Sequence, residues 1–141
     1  MQWFINQQIE QTYFELFKKL FVDDNCITHD GICIKAQEGH FFHMFYRDKW
    51  KPTLYFDQWL ANRIQDIYTI ITTTSIHTNI FEWLNPISQR KERWYFYTKS
   101  NIFIWFWKDN QTQGLFFITA YKITKTDYQK FIKRNWIFPI T

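Results

Sequence analysis

Glycine and proline each occur only three times in 141 residues, and there is no Ser/Gly-rich or Pro-rich tract. This excludes a compositional linker or low-complexity tail, so residues 1–141 read as a single domain. With so few glycines there is no GxxxxGK[ST] or GxGxxG loop, which removes nucleoside-triphosphate and dinucleotide chemistry. Cysteine is also scarce. Cys26 and Cys33 form neither a CxxC pair nor a disulfide framework, so free thiols in a reducing compartment are expected. There is no HExxH motif, no paired CxxC knuckles and no Asp/Glu cluster of the two-metal nuclease kind, so no metal or cofactor is expected. The longest uncharged run, Ile67 to Phe81, is too short and too rich in Thr, His and Asn to span a bilayer. The opening Met1-Gln2-Trp3-Phe4 lacks the basic and apolar blocks of a signal peptide. The expectation is a soluble cytoplasmic protein with no membrane partner.

What the chain does contain is aromatic. Phe, Trp and Tyr make up 23% of it, enough for a small sheet protein to fill its core with large rigid rings. Charge is unevenly placed. Residues 1–70 hold 7 Lys/Arg against 9 Asp/Glu, and residues 71–141 hold 10 against 4, which puts the two halves at −2 and +6. Such asymmetry suits a side that faces a polyanion, although charge alone does not separate that from a solvated basic face.

Periodicity sets the expected order of elements. Ile5, Ile9, Tyr13, Leu16, Phe17 and Leu20 recur at helical spacing, which predicts an N-terminal helix within residues 1–22. Turn residues around Asp23 to Gly31 precede a short buried strand at Ile32 to Ile34, and Phe41 to Tyr46 reads as another strand. After Pro52, Asp57 can cap a second helix whose stripe is Leu60, Ile64, Ile67, Tyr68 and Ile71. Strand periods follow at Ile80 to Leu84, Trp94 to Thr98, Ile102 to Trp107 and Leu115 to Ala120, with a C-terminal helix over Asp127 to Arg134 within 125–136. The fold class is therefore α+β, with N-terminal helices packed on an antiparallel meander.

Strand parity narrows the candidate site residues. From Leu115 to Tyr121, strict alternation puts Phe116, Ile118 and Ala120 on one apolar face. It leaves Phe117, Thr119 and Tyr121 on the other, with hydroxyls near Tyr95, Tyr97 and Lys99 of neighbouring strands. His40 and His43 lie in an aromatic stretch where a near-neutral pKa is useful, yet on a strand their i, i+3 spacing points them to opposite faces and argues against a shared metal.

The order of features resembles the phage-associated barnase, EndoU, colicin and RelE-like (BECR) nuclease domains. Those domains run from a His segment through an FD..RA.RI helix, an I.E strand and an R.YY strand to a closing FITAY strand. The corresponding residues are His40 and His43; Phe56-Asp57-Gln58-Trp59-Leu60-Ala61-Asn62-Arg63-Ile64; Ile80-Phe81-Glu82; Arg93-Trp94-Tyr95-Phe96-Tyr97; and Phe117-Ile118-Thr119-Ala120-Tyr121, so that the likeness covers 39–124. Leu60 departs from the pattern, standing where the arginine of the "RA" pair is expected. The resemblance implies a helix-plus-sheet fold and a toxin-like, metal-independent endoribonuclease of phage or mobile-element type. Such an enzyme cuts RNA, commonly transfer RNA, through the ribose 2′-OH, and a cognate antitoxin or immunity protein could accompany it. In that chemistry a base takes the 2′-OH proton, a cation or donor steadies the phosphorane and an acid protonates the leaving 5′-oxygen. The expected roles are His43, with His40 in reserve, for acid–base work; Thr119 and Tyr121 at the scissile phosphate; and Arg93 or Lys99 as cation. Arg63, Tyr97 and Tyr95 would contact substrate.

Two other classes fit the composition. A non-catalytic inhibitor or immunity-type module would use Trp94, Trp105 and Trp107 as interface anchors. An RNA-binding sheet would stack bases on exposed aromatics, but the Lys/Arg-Gly-Phe pattern of such sheets is missing.

Overall fold

The computed structural model describes residues 7–48 and 54–135. The first helix, α1, runs Gln7–Phe17 and continues as a π-helical turn over Lys18–Asp23. The predicted start at Ile5 and the predicted end at residue 136 lie outside the described residues. Then come β1 (Ile34–Lys35), α2 (Glu38–Phe45), the short strands β2 (Tyr46–Asp48) and β3 (Leu54–Phe56), α3 (Gln58–Ala61) and α4 (Ile64–Thr72). Strands β4 (Thr78–Leu84), β5 (Lys91–Tyr97), β6 (Ile102–Lys108) and β7 (Leu115–Lys122) lead into α5 (Lys125–Asn135). The main sheet has the order β1-β7-β6-β5-β4. Its last four strands form the expected antiparallel meander, and β1 adds to β7 in parallel, so the sheet is mixed.

The stretch expected as a strand at Phe41 to Tyr46 is instead mostly helix α2. Phe41, Met44 and Phe45, at i, i+3 and i+4, are buried against the sheet, so helical spacing gives this run one coherent apolar stripe. Its start is fixed by a capping box. The Gln37 backbone N–H donates to His40 Nδ1 at 2.9 Å while the Gln37 side chain accepts from the His40 backbone. Asp57 caps α3 as expected, its Oδ1 accepting from the Leu60 N–H at 3.0 Å. The single second helix that the periodicity predicts breaks at Asn62-Arg63 into α3 and α4.

The helices cover one face of the sheet. There Phe17, Phe21, Phe41, Ile67, Tyr95, Ile104, Phe106, Phe117 and Ala120 form the larger core. The opposite face carries a second cluster of Phe81, Trp94, Phe96 and Phe103, onto which α5 lays Tyr128. The Tyr128 ring stacks on Phe96 with centroids 3.8 Å apart.

Strict alternation does not hold along β7. Trp105 pairs with Thr119 but Phe106 pairs with Phe117, so Ile118 is an extra residue in a β-bulge. Phe117 and Ala120 both turn to the helix-covered face, while Phe116, Thr119 and Tyr121 turn to the other. The expected grouping of Phe116 and Ile118 with Ala120 is therefore corrected by one inserted residue. Phe117→Ala should cost about 3–5 kcal/mol, the range for removing a fully packed aromatic. Ile118→Ala, at the half-buried bulge, should cost nearer to about 1 kcal/mol. Urea denaturation of the two variants measures the difference, and equal losses would contradict this placement.

Candidate functional site

Arg93 is an arginine inside a strand of aromatics. Tyr95 and Tyr97 follow it at i+2 and i+4 on the helix-covered face, and Glu82 of β4 lies directly opposite. A guanidinium in that position must find counterions. Its Nε donates to Glu82 Oε2 at 2.7 Å. Nη1 and Nη2 donate to the two oxygens of Asp30 at 2.8 and 2.7 Å, and Nη1 also reaches the Tyr95 hydroxyl at 3.1 Å. The Arg93 side chain is 3% exposed, whereas Asp30 and Glu82 are 36% and 30% exposed, so the cation forms the floor and the carboxylates the rim.

Asp30 is delivered by a loop that the sequence marks only as a turn. Gly31 sits at φ +86°, which a side chain would strain, and its N–H returns to the Thr28 carbonyl at 3.0 Å. The Thr28 hydroxyl donates to Asp30 Oδ1 at 2.6 Å and accepts from the Ile32 N–H at 2.9 Å. The His29 backbone N–H donates to the Ile71 carbonyl at the end of α4, which ties the loop to the helical layer. The His29 ring stands edge-on to Tyr95, and its Nδ1 is buried, 3.8 Å from Asp30 Oδ1 and without a hydrogen-bond partner.

The electrostatics follow from these contacts. The hydrogen bonds from Arg93 hold the Asp30 carboxyl well below the usual carboxylate range; partial burial opposes this and Thr28 reinforces it. Burial works to discharge Arg93, but Asp30, Tyr95 and Glu82 overcome it and keep the guanidinium charged. Burial pushes the Tyr95 phenol up to about 12 against the opposing pull of Arg93. Beside the His29 ring, the cluster carries one cation and two carboxylates. It offers a rim carboxylate as base, an imidazole within reach of a carboxylate, and a bidentate guanidinium fork beneath them.

The other residues singled out by sequence do not join this cluster. His40 and His43 sit at i, i+3 on α2 rather than on opposite faces of a strand, His40 half-buried and His43 exposed. Burial, with His43 beside it, lowers the pKa of His40. The His40 ring lies 6.4 Å from Phe117 on β7, two strands away from Arg93. Thr119 and Tyr121 are on the far face, opposite Trp105 and Phe103, so the expected cleft of His40 or His43, Thr119, Tyr121 and a cation does not form. Tyr97 faces the same side as Arg93, and Lys99 is exposed in the turn between β5 and β6. Arg63 lies over the Trp59 ring at 3.8 Å, and the Lys122 ammonium approaches the same ring at 4.8 Å, which gives one half-buried indole two cations. Among the described residues, no group of three or more His, Cys, Asp or Glu could hold a metal ion. No described helix is long and apolar enough to cross a membrane.

His29, Asp30 and Glu82 are absent from the sequence-based site. The signal for them was Arg93 itself, since a charge inside an aromatic strand requires acidic partners on the same face.

Because the folded-state pKa of Asp30 is depressed, its stabilising contribution is complete above the unfolded value of about 3.9 and is lost as pH falls toward the folded value. Wild-type stability should therefore drop as pH falls below about 4, and Asp30→Asn should flatten that acid limb while lowering stability at pH 7. Equilibrium denaturation at a series of pH values reads both effects; an unchanged acid limb would show that the ion pair is not formed in solution. Comparison of the chain with protein-family models, curated proteins and solved structures finds no match, so a functional assignment stands on the chemistry of the residues themselves.

Proposed function

We propose that the chain is a metal-independent endoribonuclease of the BECR kind, with the Arg93 cluster as its reaction centre. The observation that carries this reading is convergence. The I.E and R.YY pieces of the resemblance, Glu82 with Arg93 and Tyr95, meet in one half-open cluster and bring His29 and Asp30 to it. An RNA phosphate that replaces Asp30 on the guanidinium would meet a bidentate fork suited to it. Glu82 beside that fork takes the proton of the 2′-OH as the 2′-oxygen bonds to phosphorus. The bond from phosphorus to the 5′-oxygen breaks, and His29 in its imidazolium form supplies the proton to the leaving oxygen and becomes the neutral imidazole. The products are a 2′,3′-cyclic phosphate and a 5′-hydroxyl, and DNA is refractory because it lacks the nucleophile. Polyanion approach draws on the basic C-terminal half and on the Arg63–Trp59–Lys122 group, where a stacked base and a phosphate could be held together. Transfer RNA is the first substrate class to test. An antitoxin or immunity protein would act by covering the two rim carboxylates.

A specific observation favours a second reading, a non-catalytic binding module on the same fold. The Arg93 fork is already filled by two carboxylates, while cations stand over indoles at Arg63–Trp59 and at Arg90–Trp107, where the guanidinium is 4.5 Å from the ring centroid.

RNA incubated with the protein in EDTA should be cut to 2′,3′-cyclic phosphate ends. Glu82→Gln and His29→Ala should each lower kcat by about 10² to 10⁴ with little change in RNA affinity. Arg63→Ala and Lys122→Ala should weaken binding, each reducing the slope of log affinity against log salt by about one. Full cleavage by Glu82→Gln would sink the assignment. Salt-dependent binding without any cleavage by the wild type would leave the binding module.

A further inference from the structure

A pocket of about 130 Å³ opens between one side of α4, the 73–78 loop and the paired ends of β4 and β5. Asp66, Thr69, Ile70, Thr73, Ser75, Thr78 and Tyr97 line it. It lies on the same sheet face as the Arg93 cluster but four residues along β4 from Glu82, about 13 Å at strand spacing.

The lining is richer in acceptors than in donors: the Ser75, Thr78 and Tyr97 hydroxyls can turn their protons aside and present lone pairs, and the Ser75 oxygen already accepts from the His77 N–H at 3.1 Å. The Thr69 hydroxyl spends its proton on the Gln65 carbonyl at 3.0 Å, and the Thr73 hydroxyl spends its proton on the Thr69 carbonyl at 2.6 Å, so both oxygens are left with lone pairs only. The Asp66 carboxylate is an acceptor with no hydrogen bond or ion pair to a described residue, and the Tyr97 hydroxyl likewise has none. The most telling atom is Thr78 Oγ1. Its residue is only 9% exposed, yet this oxygen is buried without a hydrogen-bond partner. An unsatisfied buried hydroxyl is costly unless something meets it. Ile70, a buried residue, and the Tyr97 ring supply apolar wall beside these oxygens.

We infer that this pocket binds a primary alkylammonium group. Three N–H donors on one positive nitrogen match a single carboxylate flanked by neutral oxygens, and the alkyl stem matches the Ile70 and Tyr97 wall. A divalent metal ion would want several charged ligands, and the pocket has one carboxylate. A guanidinium is planar and wants a bidentate acid, whereas a quaternary ammonium has no N–H to give.

The test is isothermal titration of the full chain with n-butylammonium and 1,4-diaminobutane, with tetramethylammonium and potassium chloride at matched ionic strength as controls. Saturable binding of the two primary amines, and of neither control, is expected. Asp66→Asn, at an exposed helix position, should weaken binding about tenfold, as loss of a charged acceptor does. Thr78→Val keeps the β-branched shape and should weaken it several-fold, and circular dichroism with an unchanged urea midpoint verifies that each variant is folded. Amide chemical-shift changes should centre on residues 66–78 and Tyr97. The inference is overturned by absence of saturable binding, by equal binding of tetramethylammonium or potassium, or by undiminished affinity in folded Asp66→Asn.

Discussion

A desolvated guanidinium at the middle of β5 dictates much of this architecture. A charge taken out of water costs several kcal/mol unless it is both paired and hydrogen-bonded. Arg93 meets that demand from three separate parts of the chain: Glu82 from the adjoining strand, Tyr95 from its own, and Asp30 from a loop 63 residues earlier. The loop that brings Asp30 turns at Gly31 and bonds to the end of α4 through His29, so one side chain links the sheet, the loop and the helical layer. An apolar residue of similar volume could supply as much stability there. What the ion network adds is a defined register between elements remote in sequence, together with two carboxylates held at the surface by a buried cation.

Around this point the sheet is the middle layer of three. Helices cover one face and α5 part of the other, so residues at both parities of the central strands are buried. This accounts for the aromatic composition. Phe17, Phe21, Phe41 and Phe117 meet in edge-on and tilted pairs on the helical side, and Trp94, Phe103 and Trp105 do so on the other. Each such pair adds about 0.5–1.5 kcal/mol beyond the area it buries. The tryptophans proposed as interface anchors divide accordingly. Trp94 is 1% exposed and belongs to the second core, whereas Trp107 stacks on Phe116 with Arg90 above it, nearer to solvent.

The meander was readable because its strands are long, strongly patterned and separated by turn residues such as Asn85-Pro86 and Asp109-Asn110. Helix α2 was not, because Phe41, Phe42 and Phe45 suit a strand as well as a helix. The arbiter, the Gln37–His40 capping box, depends on side-chain geometry rather than on hydrophobic period. The same limit governed the site. Arg93 and Tyr95 stood out as residues, but their partner Asp30 lay in a stretch that local pattern marks only as a turn. Thr119 and Tyr121 do share a face, as parity suggested, yet the Ile118 bulge sets that face against Trp105 and Phe103 rather than beside the helices that carry the histidines.

That bulge makes β7 sensitive to register as well as to composition. Upstream of Ile118 the strand presents Leu115 and Phe117 to the helices; downstream it presents Ala120, which strict alternation would place on the opposite face from them. A relative of the same length without the bulge would keep every side chain of the segment and still exchange the two faces of its second half, sending Ala120 outward and bringing Thr119 and Tyr121 under the helices. Deletion of the bulged residue itself would restore strict alternation and leave the faces as they are. Loss of the bulge at constant length would thus move hydroxyls from one side of the sheet to the other. Residue-by-residue alignment across the FITAY segment therefore carries positional meaning only when the bulge is shared.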